Sequence, residues 1–150
     1  MTEQENYMAQ ALALAREAAA AGEVPVGCVI VRGGEIVGRG RNRREEKQST
    51  ASHAEMEAIA MANEVTGSWR LDDCTLYVTL EPCPMCAGAI SQARVSRLVY
   101  GAPDPNQGCA GSVYRIPEDT AFSHFCPSDG GALESECREM LNCFFESKRK

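Results

Sequence analysis

His53-Ala54-Glu55 and, farther along, Pro82-Cys83-Pro84-Met85-Cys86 carry the residue types that hold a transition metal and move a proton beside it. Zinc takes imidazole nitrogen and thiolate sulfur readily, and a catalytic zinc uses three protein ligands, leaving a fourth position for water. Cys83 and Cys86 are three residues apart where a helix is predicted to start, so their sulfurs share one face. The positive end of that helix favours the thiolate form a metal requires. His53, at the start of a different predicted helix, can supply the third ligand across the sheet. Glu55 lies two residues beyond His53, close enough to reach the open position without being a ligand. It can accept a proton from the acidified water and later deliver protons to a leaving group.

Other uses of these residues are weaker. A structural zinc site needs a second closed pair of ligands, and no second pair occurs at that spacing; His124 near Cys126 is the nearest rival and reads as ordinary packing. A redox Cys-x-x-Cys leaves His53 and Glu55 without a purpose. The chain has eight cysteines. Cys28, Cys74, Cys109, Cys126, Cys137 and Cys143 are scattered and are expected to be small buried hydrophobes.

The elements that must position these groups can be read from periodicity. Tyr7, Ala11, Leu14, Ala15 and Ala18 recur at helical spacing, predicting a helix over about 3–21 that ends near Gly22. Residues 26–31 form a continuous apolar run, Gly33-Gly34 is a turn signal and 35–40 reads as the returning strand of a hairpin. A polar loop over 42–52 follows, then a helix over about 53–65 with Met56, Ile59 and Ala60 on one face. Leu76, Val78 and Leu80 mark a strand that ends at Glu81-Pro82. The next helix spans about 83–93, its proline placed where a helix start tolerates one. Residues 97–101 are another strand, a Gly/Pro-rich loop runs through Ser112, and 121–126 is a weaker strand candidate. Leu133, Cys137, Met140, Leu141, Phe144 and Phe145 define a last amphipathic helix. Strands alternating with helices predict an α/β layered fold.

With 150 residues, 44% apolar and 24% charged, the chain is expected to be one soluble domain over 1–150. The Ala/Leu-rich segment over 9–21 lacks a basic leader and is interrupted by Arg16 and Glu17, so it is not read as a signal peptide. No stretch approaches the length of a membrane span, and the expected location is the cytoplasm. A formal net charge of -6 is unlike that of a non-specific nucleic-acid binder. Arg39, Arg41, Arg43, Arg44 and Lys47 crowd one stretch, diluted by Glu45 and Glu46, and Lys148, Arg149 and Lys150 end the chain.

His-x-Glu followed by Pro-Cys-x-x-Cys is the signature of zinc-dependent nucleobase deaminases. The segments Gly22-Glu23-Val24-Pro25-Val26-Gly27, Gly67-Ser68-Trp69-Arg70 and Thr75 through Gly88, with Asn42, closely resemble bacterial tRNA-specific adenosine deaminases. The resemblance continues through Val99-Tyr100-Gly101-Ala102, Gly111-Ser112 and Phe144-Phe145, nearly the whole chain. It implies a three-layer α/β/α, cytidine deaminase-like fold with a five-stranded mixed sheet, one zinc ion (Zn2+) per subunit and a homodimer. The substrate it implies is the wobble adenosine of a tRNA anticodon stem-loop, converted to inosine by water attack at C6, with Glu55 carrying the protons. By the same resemblance Asn42 hydrogen-bonds the flipped base, while Val26 and Ala54 shape its pocket. Asp104 and the loop to Ser112 would meet neighbouring nucleotides, joined by Phe144, Phe145 and Arg149 on the last helix. Val26 and the two phenylalanines are also what any α/β core would place there. The chain departs from its relatives at Asn106, where a lysine is common, which points to recognition by base pockets and stacking more than by phosphate attraction. Two further readings stand beside this one: a deaminase of a free nucleobase or nucleoside of guanine or cytosine type, and a non-catalytic RNA-binding subunit, which would have no need of Glu55.

Overall fold

Thr2 opens the first helix with a reciprocal cap: its hydroxyl accepts from the Glu5 N–H at 3.1 Å while the Glu5 carboxylate accepts from the Thr2 N–H at 3.0 Å. That helix, α1 (Glu3–Ala20), leads into a hairpin of β1 (Gly27–Arg32) and β2 (Glu35–Arg41). A short helix α2 (Arg44–Lys47) precedes α3 (Ala54–Thr66), then come β3 (Cys74–Leu80), α4 (Pro84–Gln92), β4 (Arg97–Ala102), β5 (Ser128–Asp129) and α5 (Glu134–Arg149). The computed structural model describes residues 1–149. Among the described residues no helix is long and apolar enough to cross a membrane.

The five strands form one sheet in the order β2-β1-β3-β4-β5. β1 runs antiparallel to both β2 and β3, whereas β3, β4 and β5 run parallel. On one face Cys28, Ile30, Leu76, Val78 and Leu98 pack with residues of α3 and α4. On the other, Val29, Val31, Tyr77 and Val99 pack with α1 and with Cys137 of α5. The sheet is therefore the middle of three layers, which is why β1 reads as an unbroken apolar run instead of an alternation. The ends of parallel strands in such a sheet are where ligands bind, and β3 delivers Cys83 at its end.

The structure corrects several sequence expectations. The loop over 42–52 contains α2, because the buried Glu23 carboxylate accepts from the N–H groups of Glu45 and Glu46 at 3.1 and 2.7 Å and so caps that helix from far along the chain. Residues 121–126 are not a strand: Phe122 and Phe125 are exposed, and the Cys126 N–H bonds to Pro117 O. The fifth strand is Ser128–Asp129 instead, pairing with Leu98 and Val99. His124 packs as expected, its Nε2 at 2.7 Å from Val95 O. Cys28, Cys74, Cys109, Cys126 and Cys137 are buried, but Cys143 is exposed, because it lies on the outward side of α5.

The inner face of α3 also differs from expectation: Ala54, Ala58, Ala62 and Ile59 are buried, whereas Ala60 is exposed. Gly38 and Gly40 explain this choice. A Cβ at Gly38 would run into the Ala58 carbonyl and one at Gly40 into the Ala54 carbonyl, so helix and strand approach as closely as backbones allow and only alanine fits between them. This contact fixes the first turn of α3, where His53 and Glu55 sit. Gly40→Ala should therefore destabilise the protein by about 1–3 kcal/mol, measured by urea unfolding. Gly88→Ala in α4, where a Cβ meets nothing within 4 Å, should instead be neutral or stabilising by up to ~1 kcal/mol. Equal stability of the Gly40 variant and the parent would refute the close-approach argument.

Candidate metal centre and cleft

Two helix starts converge at the end of β3. His53 is the N-cap residue of α3, and Cys83 is the N-cap residue of α4, with Pro84 at the first helical position. Cys86 follows in the first turn of α4 and is buried, while His53 and Cys83 are half-buried. Nδ1 of His53 lies 3.5 Å from Sγ of Cys83 and 3.5 Å from Sγ of Cys86, and all three ligand atoms lie within 4.8 Å of one another. Tetrahedral zinc, with Zn–S about 2.3 Å and Zn–N about 2.0 Å, separates its nitrogen and sulfur donors by roughly 3.5 Å. The donor set thus fits zinc in both chemistry and spacing.

Charge in the cluster is already arranged for a cation. A hydrogen bond from the Cys86 thiol holds Cys83 down to about 4 against its partial burial, with His53 reinforcing the effect. The same contact, together with burial, pushes the Cys86 thiol up. The His53 imidazole is raised, chiefly by its hydrogen bond to Cys83 and against the effect of burial. These shifts favour the thiolate at Cys83 and the thiol at Cys86, and binding of a divalent cation would draw off the remaining thiol proton.

Glu55 is the other chemical group here. It is 4% exposed, and burial lifts its carboxyl to about 7, with the nearby Cys83 thiolate adding to the rise. Its place in the first turn of α3 would favour the anion by only about 0.3–1 kcal/mol, whereas burial shifts carboxyls by up to ~3–5 pKa units. Burial wins. The result is a carboxyl able both to accept and to release a proton near neutral pH.

His53, Cys83 and Glu55 face a cleft of about 500 Å³, within the usual range for small-ligand sites of roughly 300–1,000 Å³. Of the residues singled out from sequence, His53, Glu55, Cys83, Val26, Ala54, Asn42, Asp104 and Phe145 line it. Asn42 is held from two sides: its Nδ2 donates to Val24 O at 3.4 Å and its Oδ1 accepts from the Arg44 N–H at 3.1 Å. Phe144 lies behind Phe145, edge-on with ring centroids 5.5 Å apart. Ser112 is not brought to the cleft wall: its N–H and hydroxyl are taken by the Glu81 carboxylate. The side chain of Arg149 lies outside the described residues.

Sequence reasoning passed over Glu81, although it stands directly before Pro82-Cys83. Burial raises its carboxyl, but hydrogen bonds from Ser112, Asp104 and Ala110 outweigh this and hold it below the usual carboxylate range. The basic stretch is likewise not the free cationic surface its composition suggests. Glu46 pairs with Arg41 at 2.9 Å and Arg43 at 2.6 Å, and Glu57 pairs with Lys47 at 2.9 Å and Arg43 at 3.3 Å.

Comparison with known proteins points to a deaminase family. The family model described as MafB19-like deaminase matches residues 2–119. A tRNA-specific adenosine deaminase from Bacillus subtilis is 47% identical over 150 residues, covering 100% of this chain and 93% of that protein. A solved structure from work on A-to-I editing by tRNA:A34 deaminases at the wobble position of transfer RNA has a TM-score of 0.87 and 44% identity, covering 91% of this chain and 99% of that one. A guanine deaminase structure from Bacillus subtilis is also similar, with 42% identity and a TM-score of 0.64 over 69% of this chain and 66% of that one.

Proposed function

The chain belongs to the tRNA-specific adenosine deaminases, within the MafB19-like deaminase family, and from that premise we propose that it hydrolyses the wobble adenosine of a tRNA anticodon to inosine with zinc as cofactor. The observation that carries the reading is the buried Glu55 beside a His53, Cys83 and Cys86 cluster at one cleft. His53, Cys83 and Cys86 would hold the zinc, which supplies the Lewis acidity that brings the pKa of a water from about 15.7 toward ~7. Glu55 accepts the proton of that water as its oxygen attacks C6 of adenine, passes a proton to the ring nitrogen, and then protonates the amino group as it leaves. Water and adenosine are consumed; inosine and ammonia are released.

The rest of the cleft positions the base. Asn42 uses one amide N–H on Val24 O and has a second donor for the base, while Val26 and Ala54 give the ring an apolar seat. An anticodon base is unpaired, so turning it into a pocket costs less than the few kcal/mol needed in a duplex. Asp104 and the loop to Ser112, with Phe144, Phe145 and Arg149 of α5, would meet the flanking nucleotides of the stem-loop. Residues 1–150 would serve as one deaminase domain, paired as a homodimer in the cytoplasm.

The likeness to a guanine deaminase over two thirds of the chain supports a specific second reading, a free-base deaminase. The two separate in one assay. Purified protein is incubated with an anticodon stem-loop RNA carrying adenosine at the wobble position, and separately with free purines and pyrimidines. Inosine in the RNA is the expected result; guanine turnover with unmodified RNA would overturn the tRNA reading. A non-catalytic RNA-binding subunit would leave every substrate unchanged.

A further inference from the structure

Glu81 is 2% exposed and sits between the end of β3 and Cys83. Its carboxylate accepts from the backbone N–H groups of Asp104 at 3.0 Å, Ala110 at 3.0 Å and Ser112 at 2.9 Å, and from the Ser112 hydroxyl. An ionised carboxylate offers about four lone-pair sites, and here four donors meet them, so its hydrogen-bonding capacity is spent on a single loop. Gly108 of that loop lies flat against the same group, where a Cβ would overlap the carboxyl carbon. The loop is tied further by the Cys109 N–H to Pro82 O at 2.8 Å and closed on itself by the Gly108 N–H to Asp104 O at 2.9 Å. The Asp104 carboxylate then accepts from the N–H groups of Asn106 and Gln107 at 3.0 and 3.3 Å.

Asp104, Pro105, Asn106 and Gln107 form a wall of the cleft that contains Glu55. We propose that Glu81 is a positioning residue for substrate: it clamps the 104–112 loop to the strand end that carries Cys83, and so sets the wall against which the RNA lies. The inference rests on the RNA-deaminase reading above and deepens it. Removing the clamp would leave the metal ligands and Glu55 in place but misplace the wall, and misplacement on the scale of 1 Å costs up to about a hundredfold in reactivity or binding.

The test uses Glu81→Gln, which puts an amide N–H₂ against backbone donors, and Gly108→Ala, which pushes the loop off an intact carboxylate. Each is measured for kcat and KM on the stem-loop RNA, for bound metal per chain, and for amide hydrogen exchange at Asp104, Ala110 and Ser112. The expected result for both is faster exchange at those amides, one metal per chain, and a KM raised by roughly tenfold to a hundredfold with a smaller change in kcat. Faster exchange with unchanged KM would make the clamp purely architectural and overturn the proposal. Loss of metal from Glu81→Gln with the loop still protected would overturn it as well, assigning Glu81 to its neighbouring ligand. If Glu81→Gln does not fold, Gly108→Ala decides by the same readouts. Parent protein inactive on RNA would refute the function reading, while the exchange data would still decide whether Glu81 fastens the loop.

Discussion

Glu55→Ala should abolish deamination while the protein keeps one metal ion per chain. The carboxyl is buried in the first turn of α3, and burial rather than the helix end sets its proton affinity near neutrality. Acid–base groups contribute about 10²–10⁴-fold, and in the proposed mechanism one carboxyl serves every proton transfer, so a fall in kcat of roughly 10⁴-fold is expected. The candidate ligands are His53, Cys83 and Cys86, so metal content measured by mass spectrometry should not change. Glu55→Gln, which keeps the shape and removes the proton transfer, should be equally inactive. A variant retaining a tenth of the parental rate, or one that lost its metal, would contradict the proton-shuttle assignment.

Cys83→Ser and Cys86→Ser should each lose metal and activity together. Each substitution removes one of two soft donors from a three-donor set, and a serine hydroxyl does not ionise where Cys83 does. Ligands that bind only the folded state stabilise it by about 4.1 kcal/mol at a thousandfold excess over Kd, so the variants should also melt lower than the metal-loaded parent and match the chelator-treated parent. Full metal occupancy in either variant would exclude that cysteine as a ligand. A fall in melting temperature that persisted against the stripped parent would instead indicate a packing defect, which is expected to be larger for the buried Cys86 than for Cys83.

The clustering of His53, Cys83 and Cys86 was legible in the residues because it depends on types at short spacing. His53 and Glu55 share a helix start, and Cys83 and Cys86 share another, so local helical geometry alone aligns each pair. What was not legible came from contacts made far along the chain. Helix α2 has four residues; Asn42 takes the Arg44 N–H locally, but the next two N–H groups are taken by Glu23, which reaches them from the loop after α1. The inner face of α3 follows the glycines of β2 rather than its own hydrophobicity, so Ala58 and Ala62 are buried where Ala60 is not. Residues 121–126 read as a weak strand candidate, yet the sheet closes with Ser128–Asp129, whose polar side chains carry no strand signal. Glu81 escaped notice because its four donors come from residues 23 to 31 positions away.

Arg41, Arg43 and Lys47, close in sequence to the cleft residues Asn42 and Arg44, are already paired with Glu46 and Glu57. A polyanion arriving there would liberate few counterions, so its hold would weaken only slightly as ionic strength rises. Bystander transcripts would then gain little from merely being charged, and residence would fall to those whose loop threads the opening. The acidic balance of the chain would then act as a filter at the moment of encounter.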